Sequence, residues 1–244
     1  MRDYLATLEQ HDLLQRVTRE VDRSWEIACL AKWMYQALPV ERRFGLLFQN
    51  VKGSSIPVVT GALGASPRSV ALALQCEVDA INDKVVAALR NPIRPRTSRT
   101  GACQEIELLG DAASLARLPI VTWTPGKDKG PYITTIVITR NHDTGVQNMG
   151  VYRTMVRDDR SVVVNLTPGR QGTFNARTWT DRGKKAPIAW VIATEPAVHL
   201  ATVANLPSGK DEIEFAGGLK GEPIDLVRCK TIDKIGRASC RERV

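Results

Sequence analysis

Aromatic side chains are scarce in this 244-residue chain, where Phe, Trp and Tyr together make up 5% of the residues. Surfaces that bind single-stranded nucleic acid stack bases on aromatic rings between basic side chains, so a chain with few rings is poorly suited to that role. The net charge of +8 is equally well explained by an anionic cofactor or substrate. The nearest approach to a basic cluster is interrupted by prolines, and its arginines are Arg90, Arg94, Arg96 and Arg99. We therefore expect no nucleic-acid partner.

Long hydrophobic runs are also missing, and no stretch approaches the roughly 20 apolar residues of a membrane-spanning helix. The opening residues lack the apolar segment of a signal peptide. The five cysteines, at positions 29, 76, 103, 229 and 240, show neither metal-ligand nor redox spacing. An odd, scattered set is typical of a reducing compartment and not of a disulfide framework. We expect a cytoplasmic protein without a membrane span.

The first hundred residues predict a small α/β unit. Apolar residues at helical spacing follow Ser24, which we predict as the helix N-cap. Residues 44–49 and 56–60 predict two strands, and Ser66 followed by Pro67 predicts the start of another helix. The proline-containing segment 91–96 predicts a linker. We therefore place a first domain at residues 1–100.

From about residue 101 the pattern changes from helices toward strands. The β-branched run 132–139 and the segment 146–156 flank an Asn-, Asp- and Gly-containing reversal, which predicts a β-hairpin. Further strands are predicted at 104–108, 161–166, 187–193 and 223–229, and Pro196 begins a predicted helix that contains His199. We place a second domain at residues 101–234 and interpret His199 as a packing or helix-surface residue, not as a catalyst.

The return strand of the hairpin carries an amide, a phenol and a guanidinium at Asn148, Tyr152 and Arg153. Strand alternation places Asn148 and Tyr152 on one face and Arg153 on the other, unless a bulge intervenes. A guanidinium can hold a carboxylate or a phosphate through two parallel hydrogen bonds. From these residues alone, a solvated hairpin with an exposed arginine is the simpler interpretation.

The last ten residues, 235–244, do not continue the pattern of the chain. They read like one frame of a sequencing-library adapter, with no apolar periodicity, so we exclude them from reasoning about the fold. The alternative is a genuine basic tail. On the adapter interpretation, Cys240 has no functional meaning and the natural chain continues beyond residue 234.

Five ordered motifs together resemble the UbiD family, the decarboxylases that use prenylated FMN. The resemblance covers residues 1–234, and the motifs are 47–53, 118–120 with 130–134, 148–153, 168–172, and Glu212 with 215–223. It implies an α/β (α+β) fold in which the N-terminal unit is followed by an incomplete split β-barrel of the flavin-binding type.

The resemblance also implies a set of site residues. In the family, a divalent cation, manganese or magnesium, ties down the cofactor phosphate, and potassium is a further candidate ion. Asn148 and Glu212 match two of its ligands, with Glu214 as the less favoured substitute for Glu212. Many members carry a His where this chain has Gln171, whose carbonyl could still offer an oxygen. The residues implied to line the flavin are Val151, Tyr152, Arg153, Arg170 and Gln171.

The implied function is non-oxidative decarboxylation of an aromatic or α,β-unsaturated acid, with its reversibility left open. Arg153 matches the catalytic arginine that contacts the substrate carboxylate. The family's general acid lies downstream of residue 234, so we expect this chain by itself to be inactive and its full-length parent to form a homo-oligomer. The alternative is a non-catalytic module that retains only the grip on flavin phosphate and metal.

Overall fold

The computed structural model describes residues 1–207 and 210–232. Its mixture of helices and strands confirms the predicted α/β (α+β) class. The helices are α1 (Arg2–Gln10), α2 (Glu26–Ala37), α3 (Pro67–Leu74), α4 (Ile81–Arg90), α5 (Gln171–Thr180), α6 (Pro196–Val203) and α7 (Glu212–Lys220). The strands are β1 (Leu14–Val17), β2 (Gly45–Phe48), β3 (Val58–Thr60), β4 (Arg96–Thr97), β5 (Tyr132–Arg140), β6 (Gln147–Val156), β7 (Val162–Val164), β8 (Ile188–Val191) and β9 (Asp225–Leu226). The predicted adapter-like tail, 235–244, lies outside the described residues.

The N-terminal strands form a three-stranded sheet in the order β1-β2-β3, parallel between β1 and β2 and antiparallel between β2 and β3. Helix α2 packs on it through Ile27 and Met34, both fully buried against Phe48. Helix α3 begins where the sequence predicted, because Ser66 and Ser69 form a reciprocal capping box around Pro67. Among the described residues, no helix combines the length and hydrophobicity that crossing a bilayer requires.

The predicted N-cap of α2 is wrong by one residue. The helix is preceded by Trp25, which makes no side-chain cap. Ser24 instead donates its backbone N–H to a carboxylate oxygen of Asp22 at 2.7 Å. The Glu26 carboxylate accepts the N–H of Asp22 at 2.7 Å. Carboxylates therefore accept the backbone N–H groups before this helix, where we expected a serine hydroxyl to do so.

The predicted hairpin is confirmed, and it forms the centre of a four-stranded antiparallel sheet in the order β7-β6-β5-β8. The sheet curls into a half-barrel. Its reversal is held by Asn141, whose side-chain oxygen accepts the N–H groups of Asp143 and Thr144 at 2.9 and 3.0 Å. Gly145 then takes a φ of +72°, which a residue with a Cβ rarely adopts.

Three other predictions in this half need correction. Residues 104–108 form no strand; a short 3-10 turn, Ala102–Gln104, precedes them and Ile106 is exposed. The last predicted strand shrinks from 223–229 to the two residues of β9. The segment 167–172, with two glycines, predicts a turn, but its last two residues instead begin helix α5, whose polar and small side chains have low helix propensity.

The predicted linker 91–96 is bonded to the far end of the chain. Ile93 donates its N–H to the carbonyl of Glu214 at 2.9 Å, and β4 pairs in parallel with β9. Helix α4 packs on α7 so closely that a Cβ on Gly218 would stand 2.9 Å from the Ala88 carbonyl oxygen, and one on Gly217 would stand 2.5 Å from the carbonyl oxygen of Ile93, in the segment after α4. One hydrophobic cluster consequently joins α3 and α4 to β5, β6, α6 and α7.

Candidate functional site

The residues singled out from the sequence lie where β6 has a free edge. Strand β7 covers β6 only from Thr154 to Val156, and the pairing ends with a 3.0 Å bond from the Asn165 N–H to the Arg153 carbonyl. Towards Asn148, the only strand that pairs with β6 within residues 1–207 and 210–232 is β5. Backbone groups and side chains of this segment can therefore meet groups from outside the sheet.

The register of β5 against β6 runs without a bulge, from Tyr132 opposite Met155 to Arg140 opposite Gln147. This confirms the predicted alternation, with Asn148 and Tyr152 on one face and Arg153 on the other. Asn148 is buried, whereas Val151, which shares the face of Arg153, is 48% exposed. An apolar side chain so open on the edge strand is available to pack against a ligand.

Asn148 and Glu212 meet directly although 64 positions separate them in the sequence. The Asn148 amide nitrogen donates to a Glu212 carboxylate oxygen at 2.8 Å. Glu212 is the first residue of α7, and the preceding Asp211 caps that helix by accepting the N–H groups of Ile213 and Glu214 at 2.7 and 3.3 Å.

Burial raises the pKa of Glu212 above its ordinary value of 4.5, and the neighbouring charge of Asp211 adds to this effect. Hydrogen bonds from the backbone, including the Met149 N–H, and from the Asn148 amide act in the opposite direction without cancelling it. A carboxylate that burial makes costly to ionise gains from any cation placed beside it.

Tyr152 connects this pair to the start of α5. Its hydroxyl accepts the Gly172 N–H at 3.0 Å and donates to the Asn148 side-chain oxygen at 3.3 Å. The ring fits only because two neighbours lack a Cβ: one on Gly172 would stand 2.5 Å from the hydroxyl, and one on Gly150 would stand 2.7 Å from the ring. The position of the tyrosine ring therefore depends on glycines in two separate elements, β6 and α5.

Gln171 joins the same network indirectly, since no described hydrogen bond links it to Asn148. Its amide nitrogen donates to the side-chain oxygen of Asn175 at 3.0 Å, and Asn175 donates to the Thr139 hydroxyl at 3.2 Å. Thr139 lies directly opposite Asn148 in the ladder. Asn175 is fully buried, and the sequence analysis did not identify it. Its spacing of four residues from Gln171 places both on one face of a helix, so the pair could be predicted only if helix α5 had been predicted first.

On the opposite face, Arg153 is held by two residues that the sequence analysis did not single out. Its Nη2 lies 2.6 and 2.7 Å from the two carboxylate oxygens of Asp128, and its guanidinium carbon lies 3.9 Å from the centre of the Tyr132 ring. Arg170, the remaining predicted residue, is exposed at the N-cap of α5. His199 takes no part in these contacts. Burial lowers its pKa to about 4, which keeps it neutral.

The donor set limits what kind of metal site the protein can provide. Among residues 1–207 and 210–232, no group of three or more His, Cys, Asp or Glu side chains is placed to hold a metal ion. The protein therefore offers one carboxylate, from Glu212, and amide oxygens from Asn148 and Gln171. Such oxygen donors suit a hard divalent cation that also binds an anionic ligand such as a phosphate.

Two grooves elsewhere contain none of the predicted site residues. One, of about 720 Å³, is lined by residues of the segments 99–107 and 228–230. The other, of about 380 Å³, lies between α1, α3 and the start of α6 and includes Glu195 and Lys220.

Comparison with known proteins gives consistent matches along the chain. Residues 5–89 match the 3-octaprenyl-4-hydroxybenzoate carboxy-lyase N-terminal domain, and residues 95–238 match the Rift-related domain of the same carboxy-lyase family, UbiD. An uncharacterized protein of Synechocystis is 30% identical over 258 residues, which cover 96% of this chain and 50% of that protein.

Two solved structures resemble the fold closely. An evolved dimeric form of the UbiD-class enzyme HmfF from Pelotomaculum thermopropionicum, in complex with prFMN, has 35% sequence identity and a TM-score of 0.88, covering 98% of this chain and 54% of that one. Vanillic acid decarboxylase from Sedimentibacter hydroxybenzoicus in its closed form has 25% identity and a TM-score of 0.85, covering 96% and 51%. The chain spans about half the length of these relatives.

Proposed function

The chain belongs to the UbiD family of carboxy-lyases, and on this premise we propose that the protein containing it decarboxylates an aromatic or α,β-unsaturated carboxylic acid. The reaction is non-oxidative and uses prenylated FMN, the cofactor named for one solved relative. Because the chain spans about half of those relatives, the activity, the small-molecule substrate and a homo-oligomeric assembly of the whole protein all belong to this proposal.

The observation that carries the proposal is the 2.8 Å contact between Asn148 and Glu212 at the free edge of β6. This contact joins the amide of Asn148, on β6, to the carboxylate of Glu212, on α7. Asn148 lies five residues before Arg153 on the same strand. A structural role alone does not explain a carboxylate whose pKa is raised by burial and which has no cationic partner among its described contacts.

We assign the cation to Glu212, Asn148 and Gln171. The Asn148 oxygen now faces Tyr152, and a half turn of the amide would exchange its oxygen and nitrogen. The oxygen would then lie beside Glu212, while the nitrogen would donate to the tyrosine hydroxyl, which can accept. The amide nitrogen of Gln171 donates to Asn175, so its carbonyl oxygen is left to face a cation.

The start of α5 would hold the cofactor phosphate, beside the residues assigned to the cation. A helix N-terminus presents N–H groups and partial positive charge, both of which favour a phosphate. Arg170 stands at this end of the helix with an exposed guanidinium. Val151 and Tyr152 then lie along the strand between the phosphate end and Arg153, where the flavin would pack.

Prenylated FMN, when bound, supplies the electron sink that loss of carbon dioxide from an sp² carbon requires. The contribution of Arg153 is to bind and orient the substrate carboxylate through charge-assisted hydrogen bonds. Its side chain is 44% exposed, so a small acid can reach it. Val151, on the same face of the strand and 48% exposed, would offer an apolar surface to the ring of an aromatic acid.

The cation assignment is tested by FMN binding in the presence and absence of Mn²⁺, followed by flavin fluorescence and calorimetry. Glu212→Gln should abolish the metal-dependent part of the affinity. Glu214→Gln is the matched control, because Glu214 lies two residues along α7 and faces Arg94 at 3.8 Å. If Glu214→Gln removes the metal dependence and Glu212→Gln does not, the assignment of ligands is wrong.

The activity is tested by carbon dioxide release in cells that supply prenylated FMN, with hydroxylated benzoic acids and cinnamic acids as substrates. Arg153→Ala should abolish the release, whereas Arg157→Ala, an exposed arginine just past the end of β6, should not. Flavin and metal binding without decarboxylation of any acid would instead support the non-catalytic binding module.

A further inference from the structure

The guanidinium of Arg153 is restrained on two sides, by Asp128 in the loop before the hairpin and by Tyr132 at the hairpin's first position. Asp128 receives Nη2 on both carboxylate oxygens, at 2.6 and 2.7 Å, and the Tyr132 ring covers one guanidinium face at 3.9 Å. The Asp128 side chain is 6% exposed, while the Arg153 side chain is 44% exposed. The partner of this arginine is therefore more deeply buried than the arginine itself.

Asp128 is fixed by its own loop, independently of Arg153. The Thr124 N–H donates to one Asp128 oxygen at 2.8 Å, and the Thr124 carbonyl accepts the N–H groups of Lys127 and Asp128 at 3.0 and 2.8 Å. Gly126, with a φ of +81°, permits the tight reversal between them. The loop thus presents a preset carboxylate, and Arg153 is the member of the pair that adapts.

Tyr132 is anchored just as firmly. Its N–H donates to the Val121 carbonyl at 3.0 Å, and its own carbonyl accepts the Trp123 indole N–H at the same distance. Tyr132 is also the first residue of β5 and is opposite Met155 in the ladder. The backbone of Tyr132 is therefore held on both sides, and the guanidinium rests on the ring that it carries.

A guanidinium has five N–H groups, and Asp128 occupies those of Nη2. Among the contacts of the described residues, Nε and Nη1 have no hydrogen-bond partner, so Nη1 still has two N–H groups to donate to a carboxylate. We propose that Asp128 and Tyr132 are positioning residues, which hold Arg153 so that its Nη1 group faces the carboxylate of the substrate.

This inference rests on the proposed function and specifies how its substrate is held. The opposite reading makes Asp128 a competitor that occupies the arginine until substrate displaces it. Displacement would leave a buried carboxylate without its cation, which is costly. The structure therefore favours positioning over competition, and the two readings predict effects of opposite sign.

The decisive variant is Asp128→Asn, which keeps the shape of the side chain and removes its charge. The first readout is NMR of the Arg153 side chain, using nitrogen-15 and carbon-13 labels to follow rotation of the guanidinium. We expect the rotation to become faster in Asp128→Asn and in Tyr132→Leu, and to remain slow in Tyr132→Phe, which keeps the ring. The control is Asp111→Asn, whose ion pair with Arg160 is solvent-exposed.

The second readout is binding of benzoate, with benzamide as the uncharged probe. Positioning predicts that Asp128→Asn weakens benzoate about tenfold or more, the usual scale for a charge-assisted hydrogen bond, and leaves benzamide unchanged. Asp128→Glu should restore part of the loss. Tighter binding of benzoate by Asp128→Asn would establish the competitor and overturn the proposal.

The same variants separate this inference from the function it rests on. Unchanged rotation and unchanged benzoate binding in both Asp128→Asn and Tyr132→Leu would refute positioning even if the protein decarboxylates acids. Faster rotation and weaker benzoate binding, in a protein that decarboxylates nothing, would uphold positioning and refute the enzymatic proposal. If Asp128→Asn does not fold, the comparison of Tyr132→Leu with Tyr132→Phe decides the question.

Discussion

The pKa of His199 makes a specific prediction about stability in acid. Burial, helped by the charge of the N-terminal amino group, lowers this pKa from 6.5 to about 4. The folded state therefore disfavours the protonated imidazole. The stabilising contribution of the neutral form is complete above pH 6.5, and it is lost as the pH falls from 6.5 towards 4, because only the unfolded chain takes up the proton in this window.

The size of the effect follows from the two pKa values. The difference between 6.5 and 4 corresponds to about 3.4 kcal/mol in total, and linkage places roughly 2 kcal/mol of it between pH 7 and pH 5. That interval lies above the range in which most carboxylates titrate, so His199 should dominate the slope there.

The assay is urea unfolding at pH 7.0, 6.0, 5.5 and 5.0, which gives the free energy of unfolding at each pH. Wild type should lose about 2 kcal/mol across the series, whereas His199→Leu, which cannot titrate, should lose much less. His11→Gln removes an exposed histidine at the end of α1 and should follow wild type. Parallel curves for wild type and His199→Leu would refute the reasoning.

Two further predictions follow from close packing. Gly217→Ala should lower the free energy of unfolding by about 1–3 kcal/mol, because the new Cβ would lie 2.5 Å from the Ile93 carbonyl oxygen. Gly64→Ala should lower it less, because the nearest neighbour of its Cβ would be 3.4 Å away. Equal losses in urea unfolding would contradict this. Tyr152→Phe should cost about 1–2 kcal/mol, because it removes the hydroxyl that accepts the Gly172 N–H, and calorimetry should also detect weaker FMN binding; an unchanged melting temperature and affinity would rule out that role.

The parts of the fold that the sequence could predict are those determined by neighbouring residues. The hairpin was predictable because β-branched residues flank a reversal whose Asn141 and Gly145 have local reasons to turn. The start of α3 was predictable for the same reason, since Ser66 and Ser69 cap it within one turn.

The errors occur where distant groups decide the structure. Residues 104–108 have the composition of a strand, but no strand in the described part of the chain pairs with them, and Ile106 is 73% exposed. Helix α5 was missed because its polar residues have low intrinsic helix propensity, and its stability comes from tertiary contacts such as those of the buried Asn175.

The candidate site divides in the same way. Alternation along β6 predicted the opposite faces of Asn148 and Arg153. The pairing of Asn148 with Glu212 across 64 residues came from the family resemblance, because no local pattern encodes it. Asp128 escaped both routes: its partner lies 25 residues away, and its loop resembles an ordinary solvated turn.

The bonds between the segment after α4 and the last helix have a consequence for how the protein is made. The apolar face of α3 and α4 is completed by α7, which is synthesised about 130 residues later. At roughly 5–20 residues per second, translation would take roughly 7–25 s over that interval. During that time the nascent N-terminal segment has an uncovered hydrophobic surface, so a chaperone that binds the emerging chain should raise the yield more than one added after release.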